Sequence, residues 1–397
     1  MTDYILVLNA GSSSLKFCVY QPTDQHQMQL VCGGQVEGIG SSPSMKAKDG
    51  SGNELVNEKL KKTIKDGHQA LDFLAAWLRS KFPDANLLGV GHRVVHGGTN
   101  YFHPTLVTKE ILADLQQLIP LAPLHQPYNL AAIDAVFHRM PNVPQVACFD
   151  TAFHRSHEVI NALVPLPKEI RDKGVQRYGF HGLSYEYISS ILPTIAPQIA
   201  KGKIIVAHLG SGASLCAMKN GKSVDSSLGF TALDGLCMGT RPGSLDPGVV
   251  LYLFKELGLS VKEVENLLYK KSGLLGISGI SNDMRVLLES KEPEAKLAID
   301  YFIYKITKDI GALAAVLGGI DALVFTAGIG ENSAVIRSKI CKASSWLGIQ
   351  IDEAANEKKS LKISNSKSKV SVLVIPTDEE GMIAKSMAVL IEKQFSN

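Results

Sequence analysis

Two short turns of small and polar residues, each set between apolar strands, constrain this chain more than any other feature. The first is Asn9-Ala10-Gly11-Ser12-Ser13-Ser14, between the runs Tyr4 to Leu8 and Leu15 to Tyr20. The second is Gly210-Ser211-Gly212-Ala213-Ser214, between Ile204 to Leu209 and Leu215 to Met218. Apolar and β-branched runs on both sides of such a turn read as strand, turn, strand. A turn without bulky side chains lets amides and hydroxyls converge on an anion, and Lys16 adds charge to the first. One such turn alone reads equally well as a plain hairpin. Two of them, with Lys16 in one and His208 beside the other, point to a duplicated fold that grips a nucleotide between its halves.

The rest of the chain alternates apolar strands with helical patterns, which indicates an α/β protein. The spacing predicts helices over Gln69 to Phe82, Lys109 to Ile119, Asn129 to Met140, Pro247 to Leu257 and Ala298 to Leu317. Strands are predicted over Leu88 to Gly91, Gln145 to Phe149, Ile204 to His208, Ala322 to Thr326 and Val370 to Ile375. Asn220-Gly221 is a hairpin signal that closes the second turn unit. Thr377-Asp378-Glu379-Glu380 matches a capping box, with Thr377 as N-cap of a last helix that carries Ile383, Met387, Leu390 and Ile391 at helical spacing. At 397 residues the chain exceeds what one core usually serves. It reads as an N-terminal domain over residues 1–150, joined by the C-terminal helix 381–397, and a C-terminal domain over residues 151–380.

Charge and cysteine usage exclude several classes. Lys plus Arg is 41 against 38 for Asp plus Glu, a net charge of +3 that leaves no footprint for nucleic acid or an anionic membrane. The six cysteines contain no C-x-x-C pair, so a reducing compartment fits better than a disulfide framework. The apolar run Tyr4 to Leu8 is too short for a signal-peptide core, and Gly311 to Ile320 is too short to span a bilayer. A soluble cytoplasmic protein is expected.

Several loops carry candidate chemistry. Neither Gly/Ser turn is a Walker A motif, since Cys216 stands where the first Gly is required ahead of Gly221-Lys222-Ser223. A third glycine turn, Ala327-Gly328-Ile329-Gly330-Glu331-Asn332, lacks the third Gly of a dinucleotide fingerprint but admits close backbone approach to a nucleoside. Arg93, beside Gly97-Gly98, and Arg241, in Met238-Gly239-Thr240-Arg241-Pro242-Gly243, stand in loops suited to bidentate recognition of carboxylate or phosphate; a structural salt bridge is the plainer reading of each. Asp150 ends an apolar strand, where α/β proteins place functional groups, or caps a helix. His181 lies between glycines with little packing reason to be there, whereas His208 also reads as a satisfied strand-end histidine. No zinc-like spacing of His or Cys occurs.

Taken together these residues resemble the acetate kinase family, within the actin, Hsp70 and sugar-kinase group. The resemblance runs from Leu8 to Phe17, through the Gly91–Gly98, Phe149–His154, Arg177–Ser184, Met238–Gly243 and Gly328–Asn332 segments, to Ile375 to Glu380. It implies a two-domain, duplicated ribonuclease-H-like α/β fold with an interdomain cleft, and a homodimer. It implies reversible transfer of a phosphoryl group from ATP to acetate, giving acetyl phosphate and ADP. By the same resemblance Mg²⁺ (or Mn²⁺) would be held by Asn9 and Glu379, and the substrate carboxylate by Arg93. Asp150 would be the catalytic aspartate, and His181 and Arg241 would stabilise the transition state. Ser12, Ser14 and Lys16 would lie near the transferring group. ATP would contact His208, Leu209, Gly210, Ser211 and Gly212, then Asp283, Met284 and Arg285, then Gly328, Ile329, Gly330, Glu331 and Asn332. The acyl pocket would be formed by Val95, Leu124, Phe180 and Ala232. Because a carboxylate is already ionised at neutral pH, with a pKa of about 4 to 5, Asp150 is read as an orienting group and not a proton acceptor.

The chain departs from the family pattern at Ser211, where Asn is usual, at Ala232, where Pro is usual, and at Pro242 and Ser244. Loss of the proline ring bears on acyl selectivity, for which one methylene is worth about 1–3 kcal/mol. A propionate or butyrate kinase is therefore the nearest alternative. A nucleotide-driven chaperone or filament ATPase of the same fold is the alternative from another class.

Overall fold

The computed structural model describes residues 2–23, 27–60 and 63–395. It divides into two compact units: the chain up to Ala152 together with the segment from Asp378 onward, and Phe153–Thr377.

In the first unit, β1 (Thr2–Ala10) and β2 (Ser14–Pro22) pair antiparallel across the first Gly/Ser turn, which sets Asn9 opposite Lys16. The Gly11 amide donates to the Ser14 carbonyl at 2.8 Å and closes that turn. β3 (Met28–Glu37), β4 (Ser44–Asp49) and β5 (Glu54–Lys59) continue the antiparallel run outward. On the other side of β1, β6 (Ala85–Val94) runs parallel to it. The short β7 (Thr105–Leu106) sits at the far edge, next to β8 (Gln145–Phe149), which is parallel to β6. The sheet order is β5-β4-β3-β2-β1-β6-β8-β7.

The second unit is built from β9 (Lys203–Leu209), β10 (Ala213–Lys219), β11 (Lys222–Ser226), β12 (Ala322–Thr326) and β13 (Ser371–Val374), in the order β11-β10-β9-β12-β13. Here too three antiparallel strands are followed by two parallel ones. The run β3-β2-β1-β6-β8 of the first sheet has the same order and the same directions, so the duplication expected from the two turns is present in the topology. Strands β8 and β12 are buried at every residue, as continuous apolar runs in the middle of an α/β sheet should be. Leu8, Phe17, Val36 and Leu74 lie in the first core, and Ile204, Val206, Cys216 and Val324 in the second.

Helices form close to their predicted spans. The longest, Pro293–Leu317, starts earlier than its apolar periodicity suggested because Pro293 takes the first turn, where its missing amide costs nothing. Asn220 and Gly221 both adopt positive φ, as their hairpin turn requires. Two expectations are corrected. Ala327 to Asn332 is a short helix, not an open glycine turn. The last helix, Glu379–Phe395, is capped by Asp378, whose Oδ1 accepts the Gly381 amide at 2.8 Å. Thr377 therefore forms no capping box, and its buried hydroxyl has no hydrogen-bond partner among the described residues. Residues 396 and 397 of the predicted helix lie outside the described residues.

Candidate active site

The parallel register of β6 and β8 pairs Arg93 with Cys148 and Val94 with Phe149, which brings Arg93 beside Asp150 at the strand ends. Asp150 is buried, and its carboxylate takes Arg93 Nε at 3.0 and 3.2 Å and Nη2 at 2.6 Å. The Arg93 side chain is 23% exposed, and Nη1 has no partner among the described residues. Glu379, the first residue of the last helix, brings a second carboxylate 3.9 Å from Arg93 Nε. That helix is seated by Ile383, Ala384 and Met387, all buried, and it packs on β6 and β1. Burial pushes the Glu379 carboxyl well above the ordinary carboxylate range; Arg93 opposes the shift, and Asp150 and Glu380 add to it. Burial alone would lower the Arg93 pKa, but Asp150 and Glu379 outweigh it and raise it.

Two residues not singled out in the sequence hold this end of the unit together. Asn129 accepts the Val95 amide at 3.1 Å and donates to the Ala10 carbonyl at 2.7 Å, tying the Gly/Ser turn to the segment after β6. Gln126 pairs with both backbone groups of His96, at 3.1 and 2.9 Å. The signal was present as polar residues opening an otherwise apolar helix, Gln126–Arg139. Ser12 and Lys16 are exposed on the hairpin, and Ser14 is half-buried.

In the second unit, His181 is the N-cap of the helix Gly182–Ile195 and has a left-handed backbone, φ 58°. Its Nδ1 pairs with Ser214 Oγ at 2.8 Å, and Tyr185 bonds the same hydroxyl. The His181 ring stacks on that of His208 at 4.2 Å, and His208 Nδ1 pairs with Ser184 Oγ at 2.9 Å. Gly212 leaves room for both groups: a methyl group on it would lie 2.9 Å from Arg241 Nη2 and 3.2 Å from His181 Nε2. These two candidates therefore flank the second Gly/Ser turn. Arg241 is anchored by its Nη1, which donates to the Ala232 carbonyl at 2.8 Å.

Beside this turn lies a cavity of about 540 Å³. Gly210, Ser211, Asp283, Met284, Arg285, Gly328, Ile329 and Asn332, all among the residues that the resemblance expects to meet ATP, line it together with Asn282, Leu288 and Ser333. Ser211 is held through its backbone, its carbonyl accepting the Gly239 amide at 3.1 Å. Asp283 caps the helix Met284–Glu289 and pairs with Arg285 at 2.6 Å. His208, Leu209, Gly212, Gly330 and Glu331 are not part of the lining. Glu331 is turned inward, onto the backbone amides of Ala327 and Thr377.

Of the residues that the resemblance assigns to an acyl pocket, Val95 and Leu124 belong to the first unit and Phe180 and Ala232 to the second. Val95 and Phe180 are buried, and Leu124 and Ala232 half-buried. Among the described residues no helix is long and apolar enough to cross a membrane.

The profile of the Acetokinase family matches residues 4–385. The chain is 50% identical to an acetate kinase of Nitrobacter hamburgensis over all of this chain and 98% of the other. It is 48% identical to an acetate kinase of Methylocella silvestris over 99% of both. Among solved structures it is similar to a propionate kinase from Francisella tularensis, with TM-score 0.90 and 38% identity over 97% of this chain and 98% of the other. It is also similar to the Porphyromonas gingivalis acetate kinase, with TM-score 0.86 and 38% identity over 98% and 99%.

Proposed function

The chain belongs to the acetokinase family, and from that premise we propose that it transfers the γ-phosphoryl group of ATP reversibly to acetate. The observation that carries the reading is the Arg93–Asp150 pair. A buried carboxylate grips two nitrogens of the guanidinium and leaves Nη1 for a second, incoming carboxylate.

Acetate needs no base, since it is ionised at neutral pH, so Asp150 acts by fixing the Arg93 fork. An acetate oxygen attacks the γ-phosphorus in line; the new O–P bond forms as the bond to the β-phosphate oxygen breaks and ADP leaves with that electron pair. Charge gathers on the equatorial oxygens, and His181 and Arg241, flanking Gly212, donate to them. The nucleotide occupies the cavity beside Gly210 and Ser211. Ser12, Ser14 and Lys16, on the hairpin of the first unit, offer two hydroxyls and an ammonium group suited to phosphoryl oxygens.

The residues present fit a divalent cation. Glu379 and Asp150 share one arginine, and a bound cation would offset the burial and the Asp150 charge that disfavour ionised Glu379. Mg²⁺ takes one or two protein oxygens and completes its shell with water and phosphate, which suits Asn9 and Glu379. The cation neutralises phosphate charge when bound. A homodimer is supported by exposed apolar side chains along the helices Pro247–Lys255 and Pro293–Leu317, among them Leu251, Tyr252, Leu297 and Tyr304. Six free thiols suit a reducing cytoplasm.

Trapping the acyl phosphate as its hydroxamate, with ATP and each of acetate, propionate and butyrate, tests the reading. The highest kcat/KM is expected for acetate. A preference for propionate would make the chain a propionate kinase, and slow ATP hydrolysis independent of any carboxylate would remove it from acyl transfer altogether.

A further inference from the structure

Glu331 lies in a segment expected to touch the nucleotide, yet its side chain faces the other way. One carboxylate oxygen, Oε1, accepts the Ala327 amide at 2.8 Å and the Thr377 amide at 3.1 Å. Those amides follow the adjacent parallel strands β12 and β13, so one oxygen ties the two strand ends together. The main chain of Glu331 is held as firmly. Buried Arg337 donates Nη1 to the carbonyls of Gly330 and Glu331, both at 2.9 Å, while its Nε and Nη2 are held by Asn356 at 2.8 and 2.7 Å.

The residue that Glu331 holds is unusual. Ala327 has φ 65°, in the left-handed region where a Cβ crowds the backbone and glycine is the ordinary occupant. A strained residue persists only where its surroundings over-determine it. Here it initiates the cavity wall: Gly328 and Ile329 follow directly and line the nucleotide cavity. The Ala327 methyl group stands 3.8 Å from where a Cβ on Gly210 would be, so the same residue abuts the second Gly/Ser turn.

We infer that Glu331 is a positioning residue for the nucleotide cavity: its carboxylate holds Ala327 left-handed and so sets the Gly328–Ile329 wall, without touching the nucleotide. The inference rests on the kinase reading for the cavity's occupant but not on which carboxylate is phosphorylated. A chain without Glu331 would let Ala327 relax toward negative φ and carry the wall with it. Glycine at 327 meets no such penalty and would keep the wall in place unaided.

The test is ADP binding by titration calorimetry, with EDTA present, to the full chain and to Glu331→Gln, Glu331→Ala, Ala327→Gly and the double variant Glu331→Ala/Ala327→Gly. Loss of a charge-assisted bond at a strained site predicts a Kd for ADP raised about 10- to 100-fold in Glu331→Ala. Glu331→Gln keeps an oxygen that accepts both amides, and its Kd should stay within about threefold of the parent, as should that of Ala327→Gly. The double variant should recover most of the loss, and the KM for acetate should be unchanged throughout. A Glu331→Gln variant as weak as Glu331→Ala would show that the charge itself matters to the ligand and overturn the inference. So would a double variant no better than Glu331→Ala, or a folded Glu331→Ala that binds ADP normally. If Glu331→Ala does not fold, Glu331→Gln decides. Failure of the kinase reading looks different: no variant and no parent chain would bind ADP, and no hydroxamate would form.

Discussion

At the scale of single residues, the chemistry depends on partnerships that spacing in the sequence does not display. Arg93 and Asp150 each stood out, one beside paired glycines and one at a strand end. Their pairing is set by the β6–β8 register, which lies between residues 57 apart. Asp150→Asn separates orientation from proton transfer, because an amide presents an N–H to the guanidinium where a carboxylate oxygen stood. Loss of one charge-assisted bond predicts kcat/KM for acetate lowered by about 10- to 100-fold. The pH profile between 6 and 8 should keep its shape, since no proton passes through the residue. Steady-state kinetics at saturating Mg²⁺ check both; full retained activity would make the charge dispensable, and an altered profile would restore the role of proton acceptor. Ala232 makes a related point. The departure from proline was legible, but its use was not: the backbone carbonyl at 232 anchors Arg241, and alanine supplies that carbonyl as well as proline does.

At the scale of elements, hydrophobic period located strands and helices well, because β8 and β12 are buried end to end and such runs cannot be mistaken for loops. It was less informative where polar residues compete for the same backbone groups. The spacing reads Thr377 as the cap of the last helix, with Glu380 three residues on to complete a capping box. The structure chooses Asp378, because the Thr377 amide is drawn to Glu331 and its hydroxyl is buried with no partner among the described residues. Opposite results follow for the two side chains. Asp378→Ala should destabilise the chain by about 0.5–2 kcal/mol, as lost N-caps do. Thr377→Val replaces an unsatisfied hydroxyl with a methyl group and should be neutral or stabilising, since a buried polar group without a partner costs about 1–3 kcal/mol. Urea midpoints measure both, and a larger loss for Thr377→Val would reinstate the capping box. The glycine turn that became the helix Ala327–Asn332 failed for a similar reason: its decisive contacts, from Glu331 and Arg337, are made by side chains and leave no periodic trace.

At the scale of the whole molecule, the duplication was visible in the two Gly/Ser turns because each joins the same kind of antiparallel strand pair at the same place in its sheet. The strands β3, β4, β5 and β7 were not visible, being short, polar or irregular in pattern. Each unit also buries a histidine that the site does not use. His92 pairs with Gln145 at 2.8 Å in the first unit; His154 pairs with Ser223 at 2.8 Å and with the Phe180 carbonyl at 2.9 Å in the second. Burial pulls both pKa values down to about 4. In the unfolded chain they return to about 6.5, so between these values the unfolded state binds protons that the folded state refuses. The stability they allow is complete above pH 6.5 and is lost as pH falls toward 4. With a shift of this size the loss at pH 5 is about 2 kcal/mol for each histidine, and both units weaken together. Burial also pulls His96 down to about 4 and His157 down to about 3, so urea unfolding at pH 7, 6 and 5 should show the midpoint falling steadily, with a shallower fall in His92→Gln, which removes one of these titrations while leaving an amide to bond Gln145. A midpoint that is flat over this range would mean that these imidazoles are protonated in the folded chain, and that the bonds to Gln145, Ser223 and Phe180 are made by cations.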